Sequence, residues 1–163
     1  MSPARIDNAA LTFARTRGHW RCAERTVAAY TRAGEHAACW FALGLAGAAL
    51  APQRRGLWLR GVRIVAGAYA LNFAVKLAVR RRRPQLPGLA PLAPTITGLS
   101  FPSAHATTSF AAARAFSAVA PAGPLYAAAV ALAGSRPYLG LHYPSDVVAG
   151  ALLGTAVAQA WPR

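Results

Sequence analysis

The feature that most constrains this chain is a series of apolar stretches separated by short polar gaps. Five such stretches cover, approximately, residues 36–51, 62–79, 103–120, 124–134 and 147–161. Residues 62–79 would rise about 27 Å as a helix, close to the hydrocarbon thickness of a bilayer. Arginines fill the gaps at 54–60 and 80–83, as they do beside membrane helices. The sequence therefore predicts an all-α fold, a polytopic transmembrane bundle of about five or six helices with its site at one membrane face.

Composition agrees with this prediction. The chain has 163 residues, of which 55% are apolar and 13% charged, with a formal net charge of +14. A soluble domain carries about a quarter charged residues. A basic chain can bind nucleic acid or anionic lipid headgroups. Because the arginines lie at the ends of apolar runs, we expect a lipid bilayer as partner and no nucleic acid.

The length predicts one membrane domain over residues 1–163, with a basic segment at 1–35 and a transmembrane core at 36–163. Residues 21–32 suit either an amphipathic surface helix or a mobile basic tail. Gly150 and Gly154 lie four positions apart, a spacing that permits close helix contact within lipid. Cys22 and Cys39 have no metal-binding or redox spacing and are expected to be free thiols.

Three polar motifs stand at the breaks between apolar stretches. They read Lys76-x6-Arg83-Pro84, Pro102-Ser103-Ala104-His105 and Ser135-Arg136-x5-His142-x3-Asp146. The first closes the second predicted helix, the second opens the third, and the last joins the fourth to the fifth. Antiparallel packing would bring all three motifs to one face of the membrane.

The cations and the hydroxyl of these motifs suit a phosphate monoester. Lys76, Arg83 and Arg136 could surround its oxygens, since arginine offers paired N–H donors. Ser103 could donate its hydroxyl at a helix start, where free backbone N–H groups attract anions.

Lys76 and the other cations in or beside the apolar stretches also have simpler interpretations. Arg80, Arg81 and Arg82 are interpreted as interfacial anchors. Lys76 lies inside an apolar helix, so its ammonium must either reach the interface or be paired. Arg114 would lie roughly 16 Å beyond Ser103 along the third helix, and it must also reach an interface or find a partner.

Two histidines can divide the chemistry. His142, with Asp146 four residues later, resembles a nucleophile held by a carboxylate, although Asp146 could also be a helix-end carboxylate. His105, in the first turn of another helix, could protonate the leaving oxygen as a general acid. His19 and His36 lack such neighbours and are given no role.

The three motifs together resemble the signature of the type 2 phosphatidic acid phosphatase family, K-x6-RP, PSGH and SR-x5-H-x3-D. Every position matches except Ala104, which replaces a glycine and retains its backbone N–H. The resemblance implies a metal-independent phosphatase without a cofactor, acting through a phosphohistidine. It implies that His142 attacks phosphorus, Asp146 orients it, and His105 protonates the leaving group and then activates water. The phosphoryl oxygens would be held by Lys76, Arg83, Ser103, Arg136 and the amide of Ala104.

Within that family, Gly34-Glu35-His36 and the run from Phe101 to Thr107 are similar to actinobacterial members linked to decaprenylphosphoryl-5-phosphoribose dephosphorylation in arabinan precursor synthesis. A polyprenyl pyrophosphate phosphatase or a phosphatidylglycerophosphate phosphatase would carry the same set of residues. A vanadate-dependent haloperoxidase and a non-enzymatic protein that binds anionic lipid are further alternatives. The sequence leaves open the side of the membrane that the site faces, the number of crossings and the oligomeric state.

Overall fold

The computed structural model describes residues 3–162, and seven α-helices form the fold over this range. They are α1 (Pro3–Thr16), α2 (Arg21–Ala33), α3 (Ala38–Leu50), α4 (Arg55–Val79), α5 (Ala104–Phe116), α6 (Ala122–Tyr138) and α7 (Pro144–Ala160). Short 3₁₀ turns, Glu35–Ala37 and Pro52–Arg54, precede α3 and α4. The described residues contain no strand beyond two isolated bridges, so the all-α prediction is confirmed.

Helix α5 lies at the centre of the bundle, in contact with α4, α6 and α7. Four of its six alanines are fully buried, and Phe116 at its end packs against Trp58 of α4. Helix α7 approaches α5 through Gly150 and Gly154. A Cβ at Gly150 would lie 2.6 Å from the Ser103 carbonyl oxygen, and one at Gly154 would overlap the Thr107 carbonyl. The predicted close contact at these glycines is confirmed.

Three helix boundaries differ from the prediction. Helix α4 begins at Arg55 instead of residue 62, so it includes most of the basic gap. Helix α5 ends at Phe116, which places Arg114 in the last turn, where its side chain is exposed. Helix α6 continues past Arg136 and includes Pro137, because a proline near the end of a helix removes only one hydrogen bond.

The end of α6 is built by a glycine in the left-handed region. Gly140 has a φ of +74°, and its N–H donates to the Pro137 carbonyl. The Leu141 N–H then donates to the Arg136 carbonyl, which completes a Schellman motif. This tight ending directs the chain back toward α7 and fixes the turn that carries His142.

Within the predicted basic segment, the described residues from Pro3 to Ala33 form two helices, where the sequence predicted at most one. Helix α2 confirms the helical alternative for residues 21–32. Helix α1 was not predicted; it buries one face made of Asp7, Leu11 and Arg15, spaced four residues apart. The two cysteines are free, as expected.

Among the described residues, the only helix long and apolar enough to cross a membrane by itself is the continuous helical stretch at 52–79. It contains the second predicted stretch. The other four apolar helices have 13 to 17 residues. At 1.5 Å per residue they are shorter than a hydrocarbon core of about 30 Å.

Candidate active site

The structure brings the three motifs together at one end of the helical bundle. Lys76 Nζ donates to the Pro102 carbonyl at 3.1 Å, which joins the first motif to the second. The Ser103 N–H donates to the Asp146 carbonyl at 3.0 Å, which joins the second to the third. The antiparallel arrangement expected from the sequence therefore holds over residues up to seventy positions apart.

A cavity opens between these motifs. Six of the eight predicted site residues line it: Lys76, Arg83, Ala104, His105, Arg136 and His142. The other two, Ser103 and Asp146, are fully buried behind the cavity wall. Ala104 is the first residue of α5, so its N–H belongs to the unpaired donors of a helix start.

The three predicted cations are held by neutral oxygens. Lys76 is buried and donates to the carbonyls of Leu99 and Pro102, so it is paired inside the protein and does not reach the interface. Arg83 Nε donates to the Thr97 carbonyl at 2.7 Å. These neutral partners leave the positive charges uncompensated, which favours an anion in the cavity.

His142 lies in the turn between α6 and α7, with a different group at each ring nitrogen. Its Nε2 is 3.1 Å from Arg83 Nη1 on the cavity side. Its Nδ1 is 3.5 Å from Asp146 Oδ2, longer than a well-formed hydrogen bond, and it has no other hydrogen-bond partner among the described residues. Catalytic hydrogen bonds are often long in unliganded enzymes.

Burial lowers the pKa of His142 to about 3, against the opposing effect of Asp146 and with the help of the neighbouring cations, Arg83 first. The imidazole is therefore neutral at physiological pH. A neutral ring with its proton on Nδ1, toward Asp146, has a free electron pair on Nε2, which is what a nucleophile requires.

His105 faces the same cavity from α5. Its Nε2 is 3.0 Å from the carbonyl oxygen of Thr31 in α2. This contact fixes the ring and leaves Nδ1 available to a bound substrate. Arg136 is held by the same residue, because its Nη1 donates to Thr31 Oγ1 at 2.8 Å.

Buried polar atoms without a hydrogen-bond partner concentrate at this site. Over residues 3–162 there are five such side-chain atoms, and three belong to Ser103, Arg136 and His142. An unsatisfied buried polar group costs about 1–3 kcal/mol. A phosphate in the cavity offers acceptors for Ser103 Oγ and Arg136 Nε, which are both donors.

The interpretation of Arg81 as an interfacial anchor is wrong. Its guanidinium donates to Asp146 Oδ1 and to Asp7 Oδ2, each at 2.8 Å. The chain is extended after α4 ends, so alternate side chains point to opposite sides. Arg81 and Arg83 therefore point inward, whereas Arg82 is exposed.

Three further residues at the site were missed in the sequence. Asp7 had a signal, because it is one of only four acidic residues in a chain with 18 basic ones. Asn72, which donates to Thr107 and Pro102, also had a signal in the sequence. It is a polar residue one turn before Lys76 in an apolar helix. Thr31 had none, since nothing in its surrounding sequence distinguishes it from other threonines.

Comparison with known proteins gives a consistent result. The family model described as PAP2 superfamily matches residues 56–163. The chain is 44% identical to a decaprenylphosphoryl-5-phosphoribose phosphatase of Mycobacterium tuberculosis over 125 residues, 76% of this chain and 70% of that protein. A protein with the same name from Mycolicibacterium smegmatis is 46% identical over 122 residues, 72% of this chain and 65% of that protein.

The fold is also similar to a solved structure. The crystal structure described as the first transmembrane PAP2 type phosphatidylglycerolphosphate phosphatase, from Bacillus subtilis, superposes with a TM-score of 0.74. The alignment covers 97% of this chain and 84% of that one at 22% identity, and it shows a shared fold. Together with the family match and the three motifs around one cavity, these similarities establish that the chain belongs to the PAP2 superfamily, the family its motifs resemble.

Proposed function

We propose that this protein is a multi-pass membrane phosphatase that removes the phosphate of decaprenylphosphoryl-5-phosphoribose. The observation that carries the proposal is a neutral, buried His142 set between Asp146 and Arg83, in a cavity with two further cations. The mycobacterial relatives support this substrate, because they are named decaprenylphosphoryl-5-phosphoribose phosphatases and are 44–46% identical to this chain.

The first chemical step is transfer of the phosphoryl group to the enzyme. Nε2 of His142 attacks phosphorus, the P–N bond forms, and the P–O bond to the sugar breaks. Asp146 stabilises the positive charge that develops on the ring by accepting the Nδ1 proton in a hydrogen bond. The bound phosphate, an anion beside His105, favours the protonated imidazole, which gives its proton to the leaving oxygen, so the sugar departs as an alcohol.

The second step returns the enzyme to its starting state. His105, now neutral, takes a proton from water, whose oxygen attacks phosphorus. The P–N bond breaks and inorganic phosphate is released. Through both steps the negative oxygens are held by Lys76, Arg83, Arg136, the Ser103 hydroxyl and the Ala104 N–H. These groups belong to the protein, so the mechanism requires no metal.

The mouth of the cavity has a composition that fits a sugar attached to a lipid. Glu35, Tyr69 and Thr95 offer hydrogen-bonding groups beyond the cations. Phe73 and Ile96 at the same opening are exposed apolar side chains. A phosphosugar could be bound by the polar groups while the polyprenyl chain leaves the cavity over the apolar ones.

A bilayer is the environment that this surface supports. Large apolar residues are exposed along α3, α4 and α7, for example Leu45, Leu71 and Leu152. Helix α1 adds Ile6 and Phe13 on the side away from its buried face, as an interfacial helix would. Because α1 and α2 contact α6, we treat residues 1–163 as one domain.

The test is release of inorganic phosphate by detergent-purified protein in EDTA. Decaprenylphosphoryl-5-phosphoribose, a polyprenyl pyrophosphate and phosphatidylglycerophosphate are compared as substrates. We expect the first to be turned over fastest, and His142→Ala to abolish turnover and the acid-labile phosphoenzyme. His19→Ala is the matched control, since His19 stacks on Tyr138 and does not line the cavity.

Each outcome has a distinct meaning. Preference for one of the other lipids would keep the phosphatase and replace the substrate. Turnover that survives in His142→Ala would refute the assigned nucleophile. A folded protein with no turnover of any lipid would refute the proposed function and favour a protein that only binds anionic lipid.

A further inference from the structure

Two charged residues outside the predicted site form a chain of hydrogen bonds to the carboxylate behind His142. Arg81 Nη1 donates to Asp146 Oδ1 at 2.8 Å, and Arg81 Nη2 donates to Asp7 Oδ2 at 2.8 Å. The side chain of Asp146 is fully buried, and that of Asp7 is 10% exposed. Buried carboxylates lose their hydration, and charge-assisted bonds from arginine replace it.

The two oxygens of Asp146 have separate partners. Oδ1 accepts from Arg81, whereas Oδ2 accepts from the Tyr143 N–H at 2.9 Å and faces His142 Nδ1. Bonds at both oxygens fix the rotation of the carboxylate about its side chain. The direction in which Oδ2 points, and hence the orientation of the His142 ring, depends on the bond to Arg81.

Arg81 is itself held in place, and it does not contact the cavity. Its guanidinium lies over the ring of Tyr143, 4.1 Å from the centroid, and Nη1 also donates to Ser145 Oγ at 2.7 Å. Arg81 is absent from the residues that line the cavity. It can therefore affect a bound phosphate only through Asp146.

Asp7 anchors the far end of this chain. Its Oδ1 accepts the Ser145 N–H at 3.0 Å, and its Oδ2 accepts the Ser145 hydroxyl. A carboxylate is favoured at this position, because Ser145 lies in the first turn of α7, where N–H groups are unpaired. Leu11 and Arg15 extend the contact, with Arg15 Nη2 donating to the Ala90 carbonyl at 2.8 Å.

We propose that Asp7 and Arg81 are positioning residues that hold Asp146, and through it His142, in the geometry for attack. Helix α1, which lies outside the matched family region 56–163, is by this inference part of the active site. The inference rests on the proposed function, because it takes His142 as the nucleophile.

The test compares the steady-state kinetics of three variants with wild type. Arg81→Met removes both bonds, Arg81→Lys keeps the charge but cannot bridge two carboxylates equally, and Asp7→Asn keeps the shape of the anchor. Arg82→Met is the matched control, since it makes the same charge change at an exposed neighbour. The readouts are kcat, KM and the rate of phosphoenzyme formation in rapid quench.

We expect Arg81→Met to lower kcat by about 10- to 100-fold, the usual effect of losing a partner that orients a histidine or carboxylate ligand. KM should stay within about twofold, because the phosphate contacts remain. Phosphoenzyme formation should slow by the same factor as kcat. Arg81→Lys should recover part of the rate, and Asp7→Asn should lose less than Arg81→Met.

A double variant, Asp7→Asn with Arg81→Met, tests whether the two residues act together on Asp146 or lower kcat independently. If the residues act as one chain, the double variant is no slower than Arg81→Met. Additive losses would overturn the inference, as would a kcat for Arg81→Met equal to that of Arg82→Met. A raised KM with unchanged kcat would also overturn it, since it would identify Arg81 as a phosphate ligand.

The outcome can be separated from that of the proposed function. An inactive wild type would refute the phosphatase assignment itself, whereas an active wild type with a fully active Arg81→Met would refute only the positioning role. Thermal unfolding in detergent monitors the fold of each variant. Should Arg81→Met fail to fold, the kcat of Arg81→Lys and Asp7→Asn decides the matter by the same criteria.

Discussion

The two halves of the site are supported in different ways. On the nucleophile side, Asp146 behind His142 is held by the charged pair Arg81 and Asp7. On the leaving-group side, a single neutral residue, Thr31, accepts from His105 with its carbonyl and from Arg136 with its hydroxyl. Helix α1 supplies the first support and α2 supplies the second.

The difference follows from the charge of the group that is being held. A buried carboxylate without a cation is costly, so Asp146 is paired with Arg81. The other guanidinium nitrogen of Arg81 is in turn paired with a second acid, Asp7. His105 and Arg136 are donors that neutral oxygens can satisfy, and a further acid there would cancel the charge that attracts phosphate. Asp7 and Asp146 lie behind the nucleophile. Among the described residues, Glu35 is the one acid that lines the cavity beside Lys76, Arg83 and Arg136, so positive charge remains in excess there.

The largest effect is expected from removing His105, and its size should depend on the leaving group of the substrate. His105→Ala should slow hydrolysis of the lipid substrate by about 10²- to 10⁴-fold, the usual contribution of a general acid. With p-nitrophenyl phosphate the rate of phosphoenzyme formation, measured as the burst of p-nitrophenolate, should fall much less, because p-nitrophenolate leaves without a proton; turnover still requires His105 to activate water. His142→Ala should abolish turnover of both substrates. Equal losses in the rate of phosphoenzyme formation on both substrates in His105→Ala would show that it does not protonate the leaving oxygen.

A smaller effect is expected from removing the hydroxyl of Thr31, the neutral residue that holds Arg136. Thr31→Val removes the hydroxyl and leaves Arg136 Nη1 without its partner, at a cost of about 1–3 kcal/mol in unfolding free energy, whereas Ser135 Oγ keeps its bond to the Leu132 carbonyl. KM should rise, since Arg136 would no longer be held toward phosphate, while kcat changes less. Thr26→Val, at an exposed position of α2, is the control. A fall in kcat at constant KM would contradict the proposed division between the halves.

The smallest effect is expected on the pH dependence of stability, to which Asp7 contributes through its ion pair with Arg81. Burial acts to raise the pKa of Asp7, but its bonds to Arg81 and Ser145 prevail and hold that pKa below its ordinary value of 3.8. A carboxyl with a lowered folded pKa stabilises the protein above its unfolded pKa of about 3.9. This stability is lost as the pH falls through the folded value.

The measurement is the melting temperature of wild type and Asp7→Asn between pH 3 and pH 7. The wild type should be more stable near neutral pH by on the order of 1 kcal/mol, the upper range for partly exposed ion pairs. The difference should shrink below about pH 4. A difference that is the same at pH 3 and pH 7 would show that the ionised Asp7 contributes nothing.

Much of the fold and the site could be predicted because the signals are local or have fixed spacing. Apolar runs and prolines located α3 to α7, with most of their ends within a few residues and the start of α4 seven residues late, and the motif spacing assigned the site to helix ends at one face. The length of α6 was missed, since Pro137 usually marks a break. Helix α6 nevertheless includes Pro137 and ends at Tyr138, where the N–H groups of Gly140 and Leu141 bond to its last carbonyls.

By itself, the sequence determined the family, the all-α class and six of the residues that line the cavity, since each is written in composition or in short spacings. The tertiary structure alone decided that Arg81 turns inward as well as Arg83, and that Asp7 and Thr31 support the site. Those contacts join residues 65 to 105 positions apart. Long-range pairs of this kind depend on how helices pack, and a single sequence carries no periodic signal for them.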